Sequence, residues 1–74
     1  MSDHTYVVNE IVGTSTMDVN DAIRNGIKRA SRTLRNLDWF EVVEVRGDIQ
    51  DNEVAHYQVT LKVGFRLDDR AGEA

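Results

Sequence analysis

The feature that most constrains this chain is a run of strict two-residue alternation towards its C-terminal end. Ala55, Tyr57, Val59, Leu61, Val63, Phe65 and Leu67 are apolar or aromatic, and the residues between them, His56, Gln58, Thr60, Lys62, Gly64 and Arg66, are polar or small. Successive side chains of a strand point to opposite faces, so the run reads as one half-buried strand of about 13 residues. A strand that long needs a long apolar surface to lie against. Only 74 residues are present to build it, and a domain of this size buries about 60% of the surface its unfolded chain exposes. The chain has no cysteine, and its two histidines, His4 and His56, are far apart. Disulfides and thiolate metal sites therefore cannot supply the missing stability, and no metal site is expected. Association with further copies of the chain is the expected remedy.

The rest of the sequence supplies one helix and two more strands. Tyr6, Val7, Val8, Ile11 and Val12 form a β-branched and aromatic run closed by Gly13, which predicts a first strand over 5–12. Gly13-Thr14-Ser15-Thr16 reads as a turn leading into a helix, with Ser15 as N-cap and Asp18 three residues on as a carboxylate form of the capping box. Val19, Ile23, Ile27, Ala30, Leu34 and Leu37 recur every three or four residues and predict an amphipathic helix of about five turns. Asp18 and Asp21 at its start and Arg32 and Arg35 at its end complement the helix dipole. From Trp39 to Ile49 the pattern becomes extended again, and the polar stretch Gln50-Asp51-Asn52-Glu53 is a turn into the long alternating strand. Gly47 and Gly64 are expected to mark bulges or bends within the two long strands, letting the hairpin curl around the helix.

The order strand, helix, strand, strand predicts an α+β fold in which a three-stranded antiparallel sheet wraps one helix. One helix covers only part of such a sheet, so a second face and the edges remain for subunit contacts. A single domain spanning 1–74 is expected, with an ordered core of about 5–67 and a polar tail over 68–74. Hydrophobic residues at 41% and charged residues at 30% lie within the globular range. No apolar run approaches the roughly 20 residues of a membrane helix, and the first residues do not resemble a secretory signal; a cytoplasmic placement is expected. The formal net charge of -4 argues against a surface that binds nucleic acid or anionic membrane everywhere, while leaving room for a local basic patch.

Three groupings can carry chemistry. Arg24, Lys28, Arg29, Arg32 and Arg35 concentrate basic charge on the predicted helix, and four of them share a face that can hold phosphates; a solvated face or subunit salt bridges is the plainer reading. On the polar face of the last strand lie Gln58 and Arg66, with Arg46 in the polar register of the preceding strand. Together these can form one open-face site, Gln58 addressing a flat heterocycle with its amide and the arginines pairing with a phosphate. The alternative is a solvated polar face. Trp39, the sole tryptophan, is either a core anchor or an outward stacking platform. Simple parity sets it in register with Val43 and Val45 and not with Arg46, so only an irregular junction ahead of the strand would free it. Nucleophilic catalysis is poorly supported: there is no nucleophile-elbow serine, no P-loop, and no evident acid or base partner for either histidine. No enzyme is expected.

At Gly13-Thr14-Ser15, Leu37-Asp38-Trp39-Phe40-Glu41-Val42, Val45-Arg46-Gly47, Tyr57-Gln58-Val59 and Lys62-Val63-Gly64-Phe65-Arg66-Leu67, the sequence resembles the dodecins, small flavin-binding proteins. Each block is short, but five in order through nearly the whole ordered chain make the match specific. The resemblance implies a β-α-β-β protomer, twelve of which form a hollow homododecamer. It implies flavins bound in pairs between tryptophans of symmetry-related subunits, with Trp39 as that tryptophan and Gln58 as the glutamine at the flavin edge. Arg46 and Arg66 match arginines that accompany binding of the phosphorylated flavin, which favours FMN over riboflavin. Some bacterial relatives also hold coenzyme A, for which Lys28, Arg32 and Thr33 are the candidates. The implied role is flavin storage and photoprotection. Rival readings are a nucleic-acid or acidic-partner module on the basic helix, a structural shell without ligand, and an enzyme using bound flavin.

Overall fold

A computed structural model of the chain describes residues 3–67; the polar tail expected over 68–74 lies outside the described residues. Four elements follow one another: β1 (Tyr6–Ser15), α1 (Val19–Ala30), β2 (Leu37–Gln50) and β3 (Glu53–Arg66). The alternating run is β3, and it lies in the middle of a three-stranded antiparallel sheet of order β1-β3-β2. A central strand has both edges paired, so its apolar face is the most completely covered. Val59, Leu61 and Val63 are accordingly the fully buried large side chains, joined by Ala22 of α1 and flanked by Ile11, Val19, Ile23 and Ile27. The expected α+β, β-α-β-β architecture is the one observed.

The helix lies across β1 and β3, and small residues set how closely. Ala22, Gly26 and Ala30 are its buried positions. A Cβ on Gly13 would overlap the Ala22 carbonyl oxygen, and a Cβ on Gly26 would come within 3.2 Å of the Gly13 Cα. Neither glycine has a positive φ, so both serve backbone approach and not an unusual conformation.

Several local expectations are corrected. Gly13, Thr14 and Ser15 belong to β1 and not to a turn. The N-cap is Asp18, whose carboxylate accepts from the Asp21 N–H at 2.7 Å, and Ser15 braces the preceding bend by accepting from the Met17 N–H at 2.8 Å. The Asp18 side chain reaches the third amide of the helix, as a cap does, whereas Ser15 is held in the strand. The helix ends at Ala30 instead of running to Leu37. Its last amides shift to tighter bonding, with Arg32 N–H to the Arg29 carbonyl and Thr33 N–H to that of Ala30, and the Ser31 hydroxyl donates to the Lys28 carbonyl at 2.7 Å. Hydroxyl side chains that compete for backbone carbonyls favour such an ending. Arg32 and Arg35 thus leave the helical face shared by Arg24 and Lys28, and the basic residues of the last turn are Lys28 and Arg29.

The connection between β2 and β3 is a two-residue turn at Asp51-Asn52, both with positive φ (54° and 65°), the geometry that matches strand twist. Neither Gly47 nor Gly64 is a bulge: Gly47 pairs with Tyr57 and Gly64 with Trp39. The irregularities fall between Leu37 and Trp39, between Val42 and Glu44, and between Asp48 and Ile49. Because the helix covers β1 and β3, the inward side of β2 is left open, and Phe40, Val42 and Val45 are each about half exposed.

Candidate functional site

The bulges decide what shares a face. With an unbroken two-residue period Trp39 would join Val43 and Val45. The extra residue at Val43 lets Val42 pair with Leu61 while Glu44 pairs with Thr60, so the alternation of β2 reverses there. Trp39 opposite Gly64, Glu41 opposite Lys62, Glu44 opposite Thr60, Arg46 opposite Gln58 and Asp48 opposite His56 all lie on the sheet face away from the helix. Trp39 therefore reaches the face of Arg46 through a mid-strand bulge, not through an irregular junction ahead of the strand.

Trp39 lies across the central strand. A Cβ on Gly64 would overlap the indole carbons and come within 2.6 Å of the indole Nε1. The ring thus rests on the β3 backbone where a side chain is missing, and 43% of the residue stays open to solvent. That leaves aromatic surface open on the sheet, the kind of surface on which a flat aromatic molecule stacks.

The amide end of the face is a connected polar row. The Arg46 Nε–H donates to Gln58 Oε1 at 2.8 Å, Gln58 Nε2 lies 3.2 Å from His56 Nε2, and His56 Nδ1 lies 4.0 Å from Asp48 Oδ2, which accepts from Gln50 Nε2 at 3.1 Å. At the other end, Tyr6 opposite Arg66 hydrogen-bonds Asp38. That bond, with desolvation and the neighbouring carboxylate charge, holds the Tyr6 hydroxyl above its ordinary pKa of 10.0, and Arg66 works in the opposite direction. The Asn36 side chain donates to the Arg66 carbonyl at 3.1 Å and fixes the backbone there.

The expected three-residue site of Gln58, Arg46 and Arg66 is only partly assembled in one protomer. Arg46 and Gln58 touch, but Arg66 is eight residues from Gln58 on the same strand, and Gly64 beneath Trp39 is six residues away. At about 3.3 Å per residue, Trp39 and Gln58 are separated by about 20 Å. One protomer thus offers a stacking end with Trp39 and Arg66 and an amide end with Gln58 and Arg46. The basic-helix candidates also divide. Lys28 borders a groove of about 570 Å³ between the helix and Phe40, whereas Thr33, in the turn after α1, borders a separate groove of about 420 Å³ between helix and β1. Arg32 is exposed in that same turn.

Reading the residues alone missed four contributors: His56 and Asp48, which do have partners here, Gly64 as the bed of the indole, and the Tyr6–Asp38 bond. The Asp48–His56 pairing was hidden because the bulge beside Ile49 shifts the hairpin by one residue from the register that the two-residue turn alone would set. Among the described residues no group of three or more His, Asp or Glu side chains is placed to hold a metal ion. None of the described helices is long and apolar enough to cross a membrane.

Comparison with known proteins agrees in sequence and in fold. The dodecin family profile matches residues 5–68. A curated dodecin of Thermus thermophilus is 53% identical over 60 residues, which cover 81% of this chain and 87% of that protein. Among solved structures, a dodecin from Streptomyces davaonensis superposes with a TM-score of 0.89 at 70% identity, covering 90% of this chain and 98% of that one. A dodecin from Streptomyces coelicolor gives a TM-score of 0.88 at 63% identity, covering 92% and 97%.

Proposed function

This chain belongs to the dodecin family, and from that premise we propose that it stores and shields a flavin, FMN in preference to riboflavin, stacked on Trp39 between subunits of a homododecamer. Dodecins are small non-enzymatic binding proteins that form homo-oligomers, and no catalytic role is assigned here. The observation that carries the reading is the indole of Trp39 resting on the backbone at Gly64, half open, on the same sheet face as the Arg46–Gln58 pair. A flat heterocycle with an imide edge and a phosphate tail needs those three kinds of group: an aromatic face, an amide and a guanidinium.

The separation of about 20 Å between Trp39 and Gln58 supports a site completed across a subunit contact, where the stacking end of one protomer meets the amide end of another. The uncovered apolar residues of β2 support the same assembly. Arg46 holds Gln58 and, with Arg66, supplies charge for the phosphate. Stacking buries the flavin, and electron transfer from the indole to the excited ring quenches it before it sensitises oxygen. Coenzyme A remains an additional proposed ligand of Lys28, Arg32 and Thr33, which would have to gather from more than one subunit. The nucleic-acid reading loses support, because the basic stripe it relied on stops at Ala30.

The test is an FMN titration of apoprotein followed by flavin fluorescence, with Trp39→Ala in parallel. Saturable quenching by the wild type that is lost in Trp39→Ala is the expected result. Equal quenching by both would overturn stacking on Trp39.

A further inference from the structure

We propose that His56 is a positioning residue for flavin recognition, whose neutral imidazole holds the Gln58 amide in the one orientation that reads an imide edge and whose protonation releases it. The inference rests on the flavin reading of the same face and adds a regulation to it.

The argument begins with donors and acceptors. The Arg46 Nε–H can only donate, so the Gln58 atom 2.8 Å from it is the carbonyl oxygen. The other end of that amide is then the NH2 group, which also can only donate. It lies 3.2 Å from His56 Nε2, and the contact is a hydrogen bond only when that nitrogen carries no proton. The imidazole proton therefore sits on Nδ1, towards Asp48 Oδ2 at 4.0 Å. Clamped from both sides, Gln58 keeps one N–H and one carbonyl lone pair free, side by side. That pair complements an adjacent carbonyl and N–H, the pattern of a cyclic imide such as the pyrimidine edge of a flavin.

Protonating His56 makes both ring nitrogens donors. Nε2–H then faces the Gln58 NH2, donor against donor. Flipping the amide does not resolve the conflict, because it would turn NH2 towards the Arg46 Nε–H. The amide has no orientation that satisfies both neighbours, so the clamp opens. Meanwhile Asp48 attracts the imidazolium, which draws the ring away from Gln58. The charged groups facing His56 are Asp48 and Arg46 from β2; on the β1 side the register ends at Ser15 opposite Tyr57, and the residue beside Gln58 is the uncharged Thr14. His56 and Gln58 are both partly exposed, so a proton from solvent can reach the ring.

The experiment is a riboflavin titration at about pH 8 and about pH 5, the range across which histidine changes charge, on oligomer shown intact by light scattering. Riboflavin is the probe because it lacks the phosphate of FMN, which titrates in the same range. The wild type should bind about tenfold more weakly at the lower pH, the factor that one lost hydrogen bond of ordinary strength carries. His56→Gln, which keeps a neutral side chain, should change by less than about twofold. No binding of either riboflavin or FMN by the wild type at about pH 8 would refute the flavin reading itself. Equal wild-type affinity at both pH values, or an undiminished pH effect in His56→Gln, would overturn the His56 role and leave the flavin reading standing. If His56→Gln fails to bind at either pH, the imidazole 15N chemical shifts of the wild type at about pH 8 decide: a proton on Nδ1 is the expected result, and a proton on Nε2 overturns the proposal.

Discussion

Gly64→Ala adds one methyl group where the Trp39 indole lies, so it isolates the seat of the stacking platform. Strand backbone at Gly64 has no positive φ, and alanine is accommodated there without strain of its own; by removing glycine it even favours the strand by about 0.5–1 kcal/mol. The cost comes from the indole, which the new Cβ would overlap. Trp39 is 43% exposed, so a little over half of a side chain of about 250 Å², or about 140 Å², is covered in the protomer. At about 25 cal/mol per Å² the ceiling on its loss is about 3.5 kcal/mol. Part of that area is recovered when the ring swings aside, and the strand gain offsets more, leaving an expected destabilisation of about 1–3 kcal/mol against a total of about 5–15. The variant should therefore fold. Denaturant unfolding at one fixed protein concentration measures the change, and the emission of the sole tryptophan reports whether the ring has moved into water. A double-mutant cycle gives the sharper test: the cost of Gly64→Ala should vanish in a Trp39→Ala background, because nothing then occupies the space above Gly64. An unchanged tryptophan emission together with full flavin quenching in Gly64→Ala would refute the reasoning.

Two further outcomes follow from the stacking end of the site. Tyr6 has its pKa raised in the folded protein by its bond to Asp38; the stability this contributes is fully present below the unfolded value near 10.0 and is lost as pH rises through the folded value. Tyr6→Phe should flatten the alkaline fall in stability, checked by unfolding at a series of pH values above neutrality, and an identical slope in both proteins would remove the Asp38 bond as its cause. Arg66→Ala should weaken FMN about tenfold or more and riboflavin little, since a charge-assisted bond to phosphate is the contact removed; equal weakening of the two flavins would count against a phosphate role.

The sequence revealed most of what depends on local pattern. The alternation of β3 named its buried face, and Val59, Leu61 and Val63 are the core. The Val19, Ile23, Ile27 stripe named the inner face of the helix, and these residues flank that core. What was illegible depends on contacts between elements. Ser15 and Asp18 are both good capping residues, and only the path of β1 past the helix start decides between them. The helix end at Ala30 comes from Ser31 and Thr33 turning on the backbone, against an apolar period that continues to Leu34 and Leu37. The bulge at Val43 has no signature of its own, since Val42-Val43 reads equally well as part of a regular strand. It is nevertheless the feature that moves Trp39 to the face of Gln58 and Arg46. Each candidate was named from its own chemistry, but their grouping required the register, which places Arg66 with Trp39 and Arg46 with Gln58 at opposite ends of β3.

Because one protomer keeps Trp39 about 20 Å from Gln58, the central claim is that the flavin site exists only between subunits. The direct measurement is FMN capacity against assembly state, with flavin quenching and light scattering recorded on the same samples across a dilution series. Capacity should track the assembled fraction and reach one flavin per chain in the intact oligomer. Full-affinity binding by the dissociated protomer would contradict the claim.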